Sequence, residues 1–413
     1  MTMEPGTPWN RRDFVKSLGV ASGAALGVGE LSTDLHAASV DVDEGEAARS
    51  DLLPTRRLGR NGPMVSMLAM GGDMNLDSAP RLIHRAWSLG YRYFDTAQKY
   101  GHGKEESTYR QWFAQNPGRR EQLFLVSKDY PRQGPEQLLE MIDRRLASLG
   151  TDYLDLYFIH QLCPEVYGKD SVEWPRSDRF RKVAEALKRS GKCRLVGFSC
   201  HGGPEYIQAA ADGGFLDVVM VQYTPFYERG GVFDRALTAC HEKGIGLIAM
   251  KTLRHAGNVP RRLPQFEALG LSTHQALLQA VWSDPRITAV CNSVKNLDQM
   301  RSSLEAAHRY TRPLDLSLID QLRNAVLASR RTLCPGCPSC DAQTSTTAFA
   351  FRDIARYVTY YEQDGNPEAR LLYRSLPAEA RDVSTVDLVT LREGCAFGID
   401  YPEIAARAER YFS

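Results

Sequence analysis

The sequence predicts a (β/α)8 barrel that carries a C-terminal helical extension. Two observations predict the barrel. Apolar, β-rich runs recur at intervals of about 25 to 40 residues between residues 55 and 310, and segments with the spacing of amphipathic helices lie between them. Apolar strands that alternate with helices are typical of a parallel sheet covered by helices. Eight such units in about 250 residues fit a closed barrel better than an open sheet, which more often has five to seven strands.

The first 38 residues are typical of a targeting segment rather than of a folded domain. Arg11 and Arg12 precede an apolar, Gly/Ala-rich run that ends in small residues. This order resembles a twin-arginine export signal, which implies the twin-arginine export machinery as a partner and a periplasmic location. The apolar run is too short for a stable span of a bilayer about 30 Å thick. The alternative is a disordered basic tail on a cytoplasmic protein. Residues 39–54 are rich in acidic side chains and are predicted to form a linker.

The barrel is predicted over residues 55–312. An Asn61-Gly62 turn between short apolar runs indicates a β-hairpin at its start. The segment 135–149 places its leucines and its isoleucine on one helix face, and similar segments follow the other strands. No GxGxxG or GxxxxGK[ST] motif is present, which disfavours Rossmann and P-loop sites. The eight predicted strands are VSMLAMG, YRYFDTA, LFLVSK, YLDLYFIH, CRLVGFS, VVMVQY, GIGLIAMK and ITAVCNSV.

The charge balance bears on the class of partner. The 413 residues include 51 Lys and Arg against 50 Asp and Glu, and 43% of the residues are hydrophobic. Proteins that bind nucleic acids or anionic membranes usually carry a basic excess, so neither partner is expected. This composition favours a small-molecule partner.

Four groups capable of proton transfer come from three consecutive predicted strands. Asp95 ends the second strand and Tyr100 follows it, Lys128 ends the third, and His160 ends the fourth. Each has an ordinary structural explanation when taken alone. Together they would lie at the face where barrel enzymes carry their active sites. The charge of Lys128 would lower the pKa of the Tyr100 phenol, and Asp95 would hold Lys128 in place. A neutral His160 imidazole could bind a substrate oxygen. The sequence thus favours chemistry that interconverts a carbonyl and an alcohol.

The motifs FDTAQKYG, VSK, LDLYFIH, VGFS and MVQY resemble those of the aldo-keto reductases, and the resemblance covers residues 57 to 310. It implies hydride transfer between a nicotinamide cofactor, NADP(H) or NAD(H), and a carbonyl compound such as an aldehyde, ketone or sugar. It implies Tyr100 as general acid/base, Lys128 as its partner, Asp95 as the ion pair of Lys128, and His160 as the group that orients the carbonyl.

The same resemblance implies a set of cofactor contacts. Cys200 stands where the family usually has an asparagine, and no arginine matches the one that binds the 2′-phosphate in the family, so the choice between NADPH and NADH stays open. The implied contacts are Ser199 and Gln222 with the carboxamide, Met250 with the nicotinamide ring, and Ser293, Lys295 and Gln299 with the adenosine phosphates.

A second group of candidate site residues lies in the C-terminal extension, which is predicted over residues 313–413. Cys334, Cys337 and Cys340 form a CxxCxxC array, which lets one short loop present three thiolates to one metal site. Cys395 lies in a segment whose sequence resembles the segment that follows the clustered cysteines in aldo-keto reductases with an iron-sulfur tail. We therefore expect a [4Fe-4S] cluster on these four cysteines, with a structural zinc ion, or redox-active or metal-free thiols, as the alternatives. Two predicted helices between Cys340 and Cys395 are expected to depend on the metal for their attachment.

The sequence leaves two interpretations of the whole chain open. The first is an oxidoreductase that uses the tetrad. The alternative is a non-catalytic redox sensor or electron-transfer protein with the same barrel and a metal-bound tail, although a sensor has no need of all four tetrad residues.

Overall fold

The computed structural model describes residues 52–72, 80–201, 203–256, 259–329, 334, 349–395 and 397–413. They all belong to one compact unit, residues 45–413. The predicted export signal, most of the predicted linker, Cys337 and Cys340 lie outside the described residues. Among the helices that are described, none combines the length and the apolar character that a membrane span requires.

Eight parallel strands close into a barrel, as the sequence predicts. Each strand pairs with its neighbour in chain order, and the last pairs with both the first and the seventh. The barrel strands are β3 (Leu68–Met70), β4 (Tyr93–Asp95), β5 (Phe124–Asp129), β6 (Leu154–Ile159), β7 (Cys193–Cys200), β8 (Val218–Gln222), β9 (Gly246–Met250) and β10 (Ile287–Asn292).

The predicted hairpin precedes the barrel. Strands β1 (Thr55–Arg57) and β2 (Met64–Ser66) pair antiparallel around the Asn61-Gly62 turn. A Cβ atom at Gly62 would lie 2.0 Å from the carbonyl oxygen of Leu58, so the turn has no room for a side chain at this position.

Helices cover the barrel and make up the described part of the extension. Around the barrel they are α1 (Arg81–Ser88), α2 (Glu105–Gln115), α3 (Leu138–Leu149), α4 (Pro164–Tyr167), α5 (Asp178–Arg189), α6 (Pro204–Gly213), α7 (Val232–Lys243), α8 (Pro264–Glu267), α9 (Thr273–Trp282) and α10 (Leu297–His308). In the extension they are α11 (Leu316–Leu327), α12 (Phe351–Asp364), α13 (Glu368–Ser375), α14 (Leu388–Glu393) and α15 (Tyr401–Phe412).

The extension packs on the barrel through an apolar cluster of its own. Phe266 and Leu277 from the barrel belong to one buried cluster with Val358, Leu391 and Phe412 from the extension. The two helices predicted between the cysteines are α12 and α13, which confirms their existence. The expectation that these two helices bury little apolar surface by themselves is wrong, because side chains of both, such as Val358 and Tyr373, are buried in this cluster.

Candidate active site

The four residues of the predicted tetrad meet at the C-terminal end of the barrel. Asp95 is the last residue of β4, and Tyr100 begins the 3-10 turn Tyr100–Gly103 just beyond it. His160 follows the last residue of β6 directly. Lys128 differs slightly from its predicted position, because β5 continues by one residue to Asp129. Neighbouring parallel strands end at the same face, which explains why residues about 30 positions apart come together.

Lys128 is the centre of this arrangement. Its ammonium donates to a carboxylate oxygen of Asp95, to the carbonyl oxygen of Thr96 at 2.9 Å and to the Tyr100 hydroxyl at 3.5 Å. The side chains of Lys128 and Asp95 are 1% and 2% exposed. Burial raises the pKa of Asp95, and the charge of Lys128 and its hydrogen bond act in the opposite direction. A buried cation is thus held against the phenol by an acid and a backbone carbonyl.

His160 packs against Tyr100. The two rings are 5.4 Å apart between centroids and nearly perpendicular, and the Tyr130 ring lies 4.7 Å from the imidazole. Burial and the nearby charge of Lys128 hold the pKa of His160 well below its usual value, so the imidazole is neutral at physiological pH. Its Nδ1 is buried without a hydrogen-bond partner among the described residues. A neutral imidazole in this position can bind a ligand oxygen.

Three of the predicted nicotinamide contacts lie on neighbouring strand ends. Ser199 is on β7, Gln222 ends β8, and Met250 ends β9, where it pairs with Gln222. The Ser199 hydroxyl accepts a hydrogen bond from the backbone NH of Gln161 at 3.0 Å. The amide of Gln222 donates to the carbonyl oxygen of Cys334 at 2.9 Å, so the extension contacts this part of the site directly.

The remaining predicted contacts surround the start of α10. Ser293, Lys295 and Gln299 are exposed, and Asn296 caps the helix by accepting from the backbone NH of Gln299 at 2.9 Å. The Gln299 side chain in turn accepts from the backbone NH of Lys295 at 2.8 Å. A helix N-terminus with a lysine beside it is a suitable place for a phosphate group.

Strands β4 to β6 thus contribute a tetrad, and β7 to β10 contribute polar positions for an elongated ligand. A family model described as the aldo/keto reductase family matches residues 65–310. The chain belongs to the aldo/keto reductase family. This confirms the resemblance seen in the sequence, and the named reductases among its relatives support an oxidoreductase enzyme.

This aldo/keto reductase is similar to several individual members of the family. It is 26% identical to the uncharacterized oxidoreductase YrpG of Bacillus subtilis over 301 residues, which cover 60% of this chain and 89% of YrpG. The Schizosaccharomyces pombe aldo-keto reductase yakc [NADP(+)] is 28% identical over 225 residues, 49% of this chain and 61% of the relative. The D/L-glyceraldehyde reductase of Hypocrea jecorina is 36% identical over 99 residues, covering 23% of this chain and 29% of that protein.

Solved structures agree with the fold. A thermostable aldo-keto reductase in complex with the inhibitor epalrestat superposes with a TM-score of 0.53 at 23% identity, covering 66% of this chain and 100% of the other. An aldo-keto reductase from Bacillus halodurans gives the same TM-score at 22% identity, over 66% of this chain and 96% of its own. These structures confirm the barrel.

Several side chains around the site were not predicted from the sequence. The Tyr130 ring packs against His160. Tyr130 directly follows β5, so the strand-end criterion that indicated Lys128 would also have indicated Tyr130. Lys251 follows β9, and its ammonium donates to the Tyr360 hydroxyl of α12. No local pattern predicts this last contact, because the two residues are 109 positions apart.

The structure describes two of the four predicted metal ligands. Cys334 is buried in the apolar cluster of the extension, and Cys395 is half-buried against the same cluster. The Cys395 sulfur accepts a hydrogen bond from the backbone NH of Ile399 at 3.4 Å. Within the described residues no group of three or more potential ligands stands close enough to hold a metal ion.

Proposed function

We propose that this aldo-keto reductase reduces the carbonyl group of a small molecule to an alcohol with a nicotinamide cofactor, and that Tyr100 is the general acid. The observation that carries the proposal is the single contact network in which Lys128 touches Asp95 and Tyr100 while His160 packs against Tyr100. A structural ion pair would not need a phenol and a neutral imidazole beside it.

In this proposal each residue has one task. The Tyr100 hydroxyl gives its proton to the carbonyl oxygen, and the ammonium of Lys128 stabilises the resulting phenolate. Asp95 keeps Lys128 in place. The neutral imidazole of His160 donates a hydrogen bond to the carbonyl oxygen and orients the substrate. A bound reduced nicotinamide supplies the hydride.

The residues on β7 to β10 fit such a cofactor. Ser199 and Gln222 are buried polar side chains on adjacent strand ends, as contacts to an amide require, and the exposed start of α10 suits an anionic group. The relative yakc carries NADP(+) in its name, which favours NADP(H) over NAD(H) here.

The test is the oxidation of NADPH and of NADH in the presence of a panel of aldehydes, ketones and sugars, followed at 340 nm, a wavelength set by the nicotinamide chromophore. We expect carbonyl-dependent oxidation of at least one cofactor and formation of the matching alcohol. Cofactor binding without turnover of any carbonyl would favour the non-catalytic sensor instead.

We further propose that Cys334, Cys337, Cys340 and Cys395 bind one [4Fe-4S] cluster, with a structural zinc ion as the alternative. The support is the CxxCxxC spacing and the fact that both described cysteines belong to one apolar cluster. Iron, sulfide and zinc analysis of anaerobically purified protein, together with its visible absorption spectrum, separates the two metals.

A second candidate function is electron transfer between this metal site and the nicotinamide. The hydrogen bond from Gln222 to the Cys334 carbonyl favours it, because it joins a proposed cofactor contact to a proposed metal ligand. Anaerobic addition of NADPH would bleach the visible absorption of a cluster that accepts electrons from the cofactor, and would leave an isolated cluster unchanged.

We also propose export by the twin-arginine route. Arg11 and Arg12 support it, as does the need to move a folded, cofactor-loaded protein. Cell fractionation of wild type and of an Arg11→Lys/Arg12→Lys variant tests this: equal amounts of both in the cytoplasm would contradict it.

A further inference from the structure

A large cavity lies between the barrel and the extension, beside the proposed active site. Its volume is about 1290 Å³, which exceeds the roughly 300 to 1,000 Å³ of ordinary small-molecule pockets. Helix α3 and the loops that follow β4, β5 and β6 line one side, and residues of α12, α13 and their flanking segments line the other.

The cavity adjoins the tetrad rather than the proposed nicotinamide contacts. Its wall includes Lys99, which precedes Tyr100, and Gln161, which follows His160. Tyr130 also lines it and packs its ring 4.7 Å from the His160 ring. The nicotinamide contacts proposed above come from β7 to β10, which leaves this side for the substrate.

The cavity wall carries a strong positive excess, although the whole chain is nearly neutral. Six lining side chains are cationic and two are carboxylates, whereas the chain has 51 basic and 50 acidic residues. The positive charge is therefore concentrated at this place. The six cations are Lys99, Arg132, Arg144, Arg145, Lys169 and Arg352.

Both carboxylates already have partners. Asp129 pairs with Arg145 at 3.2 Å and accepts a hydrogen bond from the Tyr157 hydroxyl at 2.7 Å, and Asp353 pairs with Arg356. Burial raises the pKa of Asp129, and the charge of Arg145 and the hydrogen bond from Tyr157 act in the opposite direction. By contrast, three of the cations form no ion pair with any residue that the structure describes. These are Arg132, Arg144 and Lys169.

The side contributed by the extension is largely apolar, although Arg352 and Asp353 also belong to it. Phe349, Phe351, Leu372 and Leu376 line it, opposite the cations of the barrel. A ligand that satisfies both sides needs a negative group at one end and an apolar body. An uncharged sugar would leave Arg132, Arg144 and Lys169 without an anionic partner and the apolar wall without an apolar neighbour.

We propose that this cavity binds the part of the substrate remote from the carbonyl, and that the substrate class is an aldehyde or ketone bearing a carboxylate or phosphate on an apolar body. The inference rests on the proposed carbonyl reduction at Tyr100. Arg132 and Arg144 supply planar guanidinium groups for the anion, and the extension supplies the apolar surface.

The first test compares matched substrates. We expect kcat/KM for 4-carboxybenzaldehyde to exceed that for benzaldehyde, mainly through a lower KM. In the Arg132→Gln/Arg144→Gln variant the ratio of the two kcat/KM values should fall about tenfold, the effect of losing one charge-assisted hydrogen bond. An Arg189→Gln/Arg410→Gln variant removes two exposed arginines elsewhere and should keep the wild-type ratio.

A second pair of substrates distinguishes a phosphate from a carboxylate as the bound anion. Glyceraldehyde 3-phosphate against glyceraldehyde tests phosphate without an apolar body. Because the extension side is apolar, we expect a smaller preference here than for the aromatic pair. A preference seen only with the phosphate would overturn the apolar half of the proposal.

An equilibrium measurement keeps this inference distinct from the catalytic proposal. Calorimetry should show tighter binding of 4-methylbenzoate than of the neutral 4-methylbenzamide, and the difference should disappear in Arg132→Gln/Arg144→Gln. If the benzoate binds in this way but no carbonyl is reduced, the anion site stands and the proposed function fails. If acid and amide bind alike to wild type, the anion site is wrong whatever the enzyme reduces.

Discussion

The Tyr100 hydroxyl accepts a hydrogen bond from the Lys128 ammonium, and the Tyr100 ring packs against the His160 ring. Replacement of Tyr100 by phenylalanine keeps the ring but removes the proton. We expect Tyr100→Phe to bind nicotinamide like wild type and to lose about 10²- to 10⁴-fold in kcat, the usual contribution of general acid catalysis. Tyr411→Phe removes an exposed hydroxyl instead and should leave kcat unchanged. Steady-state kinetics that show full activity in Tyr100→Phe would rule out its proposed role.

Lys128 has a structural task besides its proposed catalytic one. Its removal in Lys128→Met leaves the buried Asp95 carboxylate without its ion pair, which costs roughly 3 kcal/mol of the free energy of unfolding. We expect Lys128→Met/Asp95→Asn to regain this stability while carbonyl reduction stays lost. Urea unfolding measures the stability of each variant, and steady-state kinetics measure its carbonyl reduction. The half-exposed Lys188, paired with Asp217, is the matched control, and Lys188→Met should cost less than about 1 kcal/mol.

At the scale of secondary-structure elements, Glu106 joins α2 to β5 and α3. It accepts from the Ser127 hydroxyl at 2.6 Å and pairs with Arg145 at 2.9 Å. Burial raises the pKa of Glu106 to about 7, and the charge of Arg145 opposes this shift only in part. The folded protein therefore keeps a proton between pH 4.5 and 7 that the unfolded chain has lost, so stability falls as pH rises through this window.

Glu106→Gln removes that dependence. We expect the free energy of unfolding of the variant, relative to wild type, to rise by about 3 kcal/mol between pH 4.5 and pH 8, as measured by urea titrations at several pH values. Glu136→Gln serves as the control with the opposite sign, because the hydrogen bond from Arg179 lowers the pKa of Glu136. If the difference in free energy of unfolding between Glu106→Gln and wild type does not change with pH, the Glu106 carboxyl has the same pKa in the folded and unfolded states.

Helix α15 tests whether the extension depends on apolar packing. Phe412 is fully buried, and its ring lies 5.2 Å from that of Tyr373 on α13. Phe412→Ala should lower the free energy of unfolding by about 3 to 5 kcal/mol in metal-free protein as well as in the metal-bound form. Leu371→Ala, at a site that is 68% exposed, should have little effect. Equal stability of these two variants without metal would mean that the metal alone holds the extension.

For the whole molecule, the proposed metal site connects distant parts of the chain. Cys334→Ser and Cys395→Ser should each lower the bound metal, although 60 residues separate them, because one cluster needs all its ligands. The buried Cys240 on α7 donates to the Ile207 carbonyl at 3.2 Å, and Cys240→Ser should keep the metal. Metal analysis that shows full occupancy in Cys395→Ser would exclude the split site.

Much of the molecule was predictable because local patterns determine it. The alternation of apolar strands with amphipathic helices predicted the barrel, and the Asn61-Gly62 turn predicted the hairpin. Polar residues at strand ends predicted where the tetrad gathers, since parallel strands of one barrel end at one face. These features need no knowledge of remote contacts.

Contacts between remote parts of the chain could be decided only by the tertiary structure. The sequence by itself determined the barrel, the position of Asp95, Tyr100, Lys128 and His160, and the existence of α12 and α13. It underestimated how much apolar surface these helices bury, because they share one apolar cluster with α15 and with α8 and α9 of the barrel. It also had no signal for the bond between Gln222 and Cys334 or for the cationic cavity. Both arise where the extension folds back over the barrel, and such long-range packing depends on three-dimensional fit rather than on spacing along the chain.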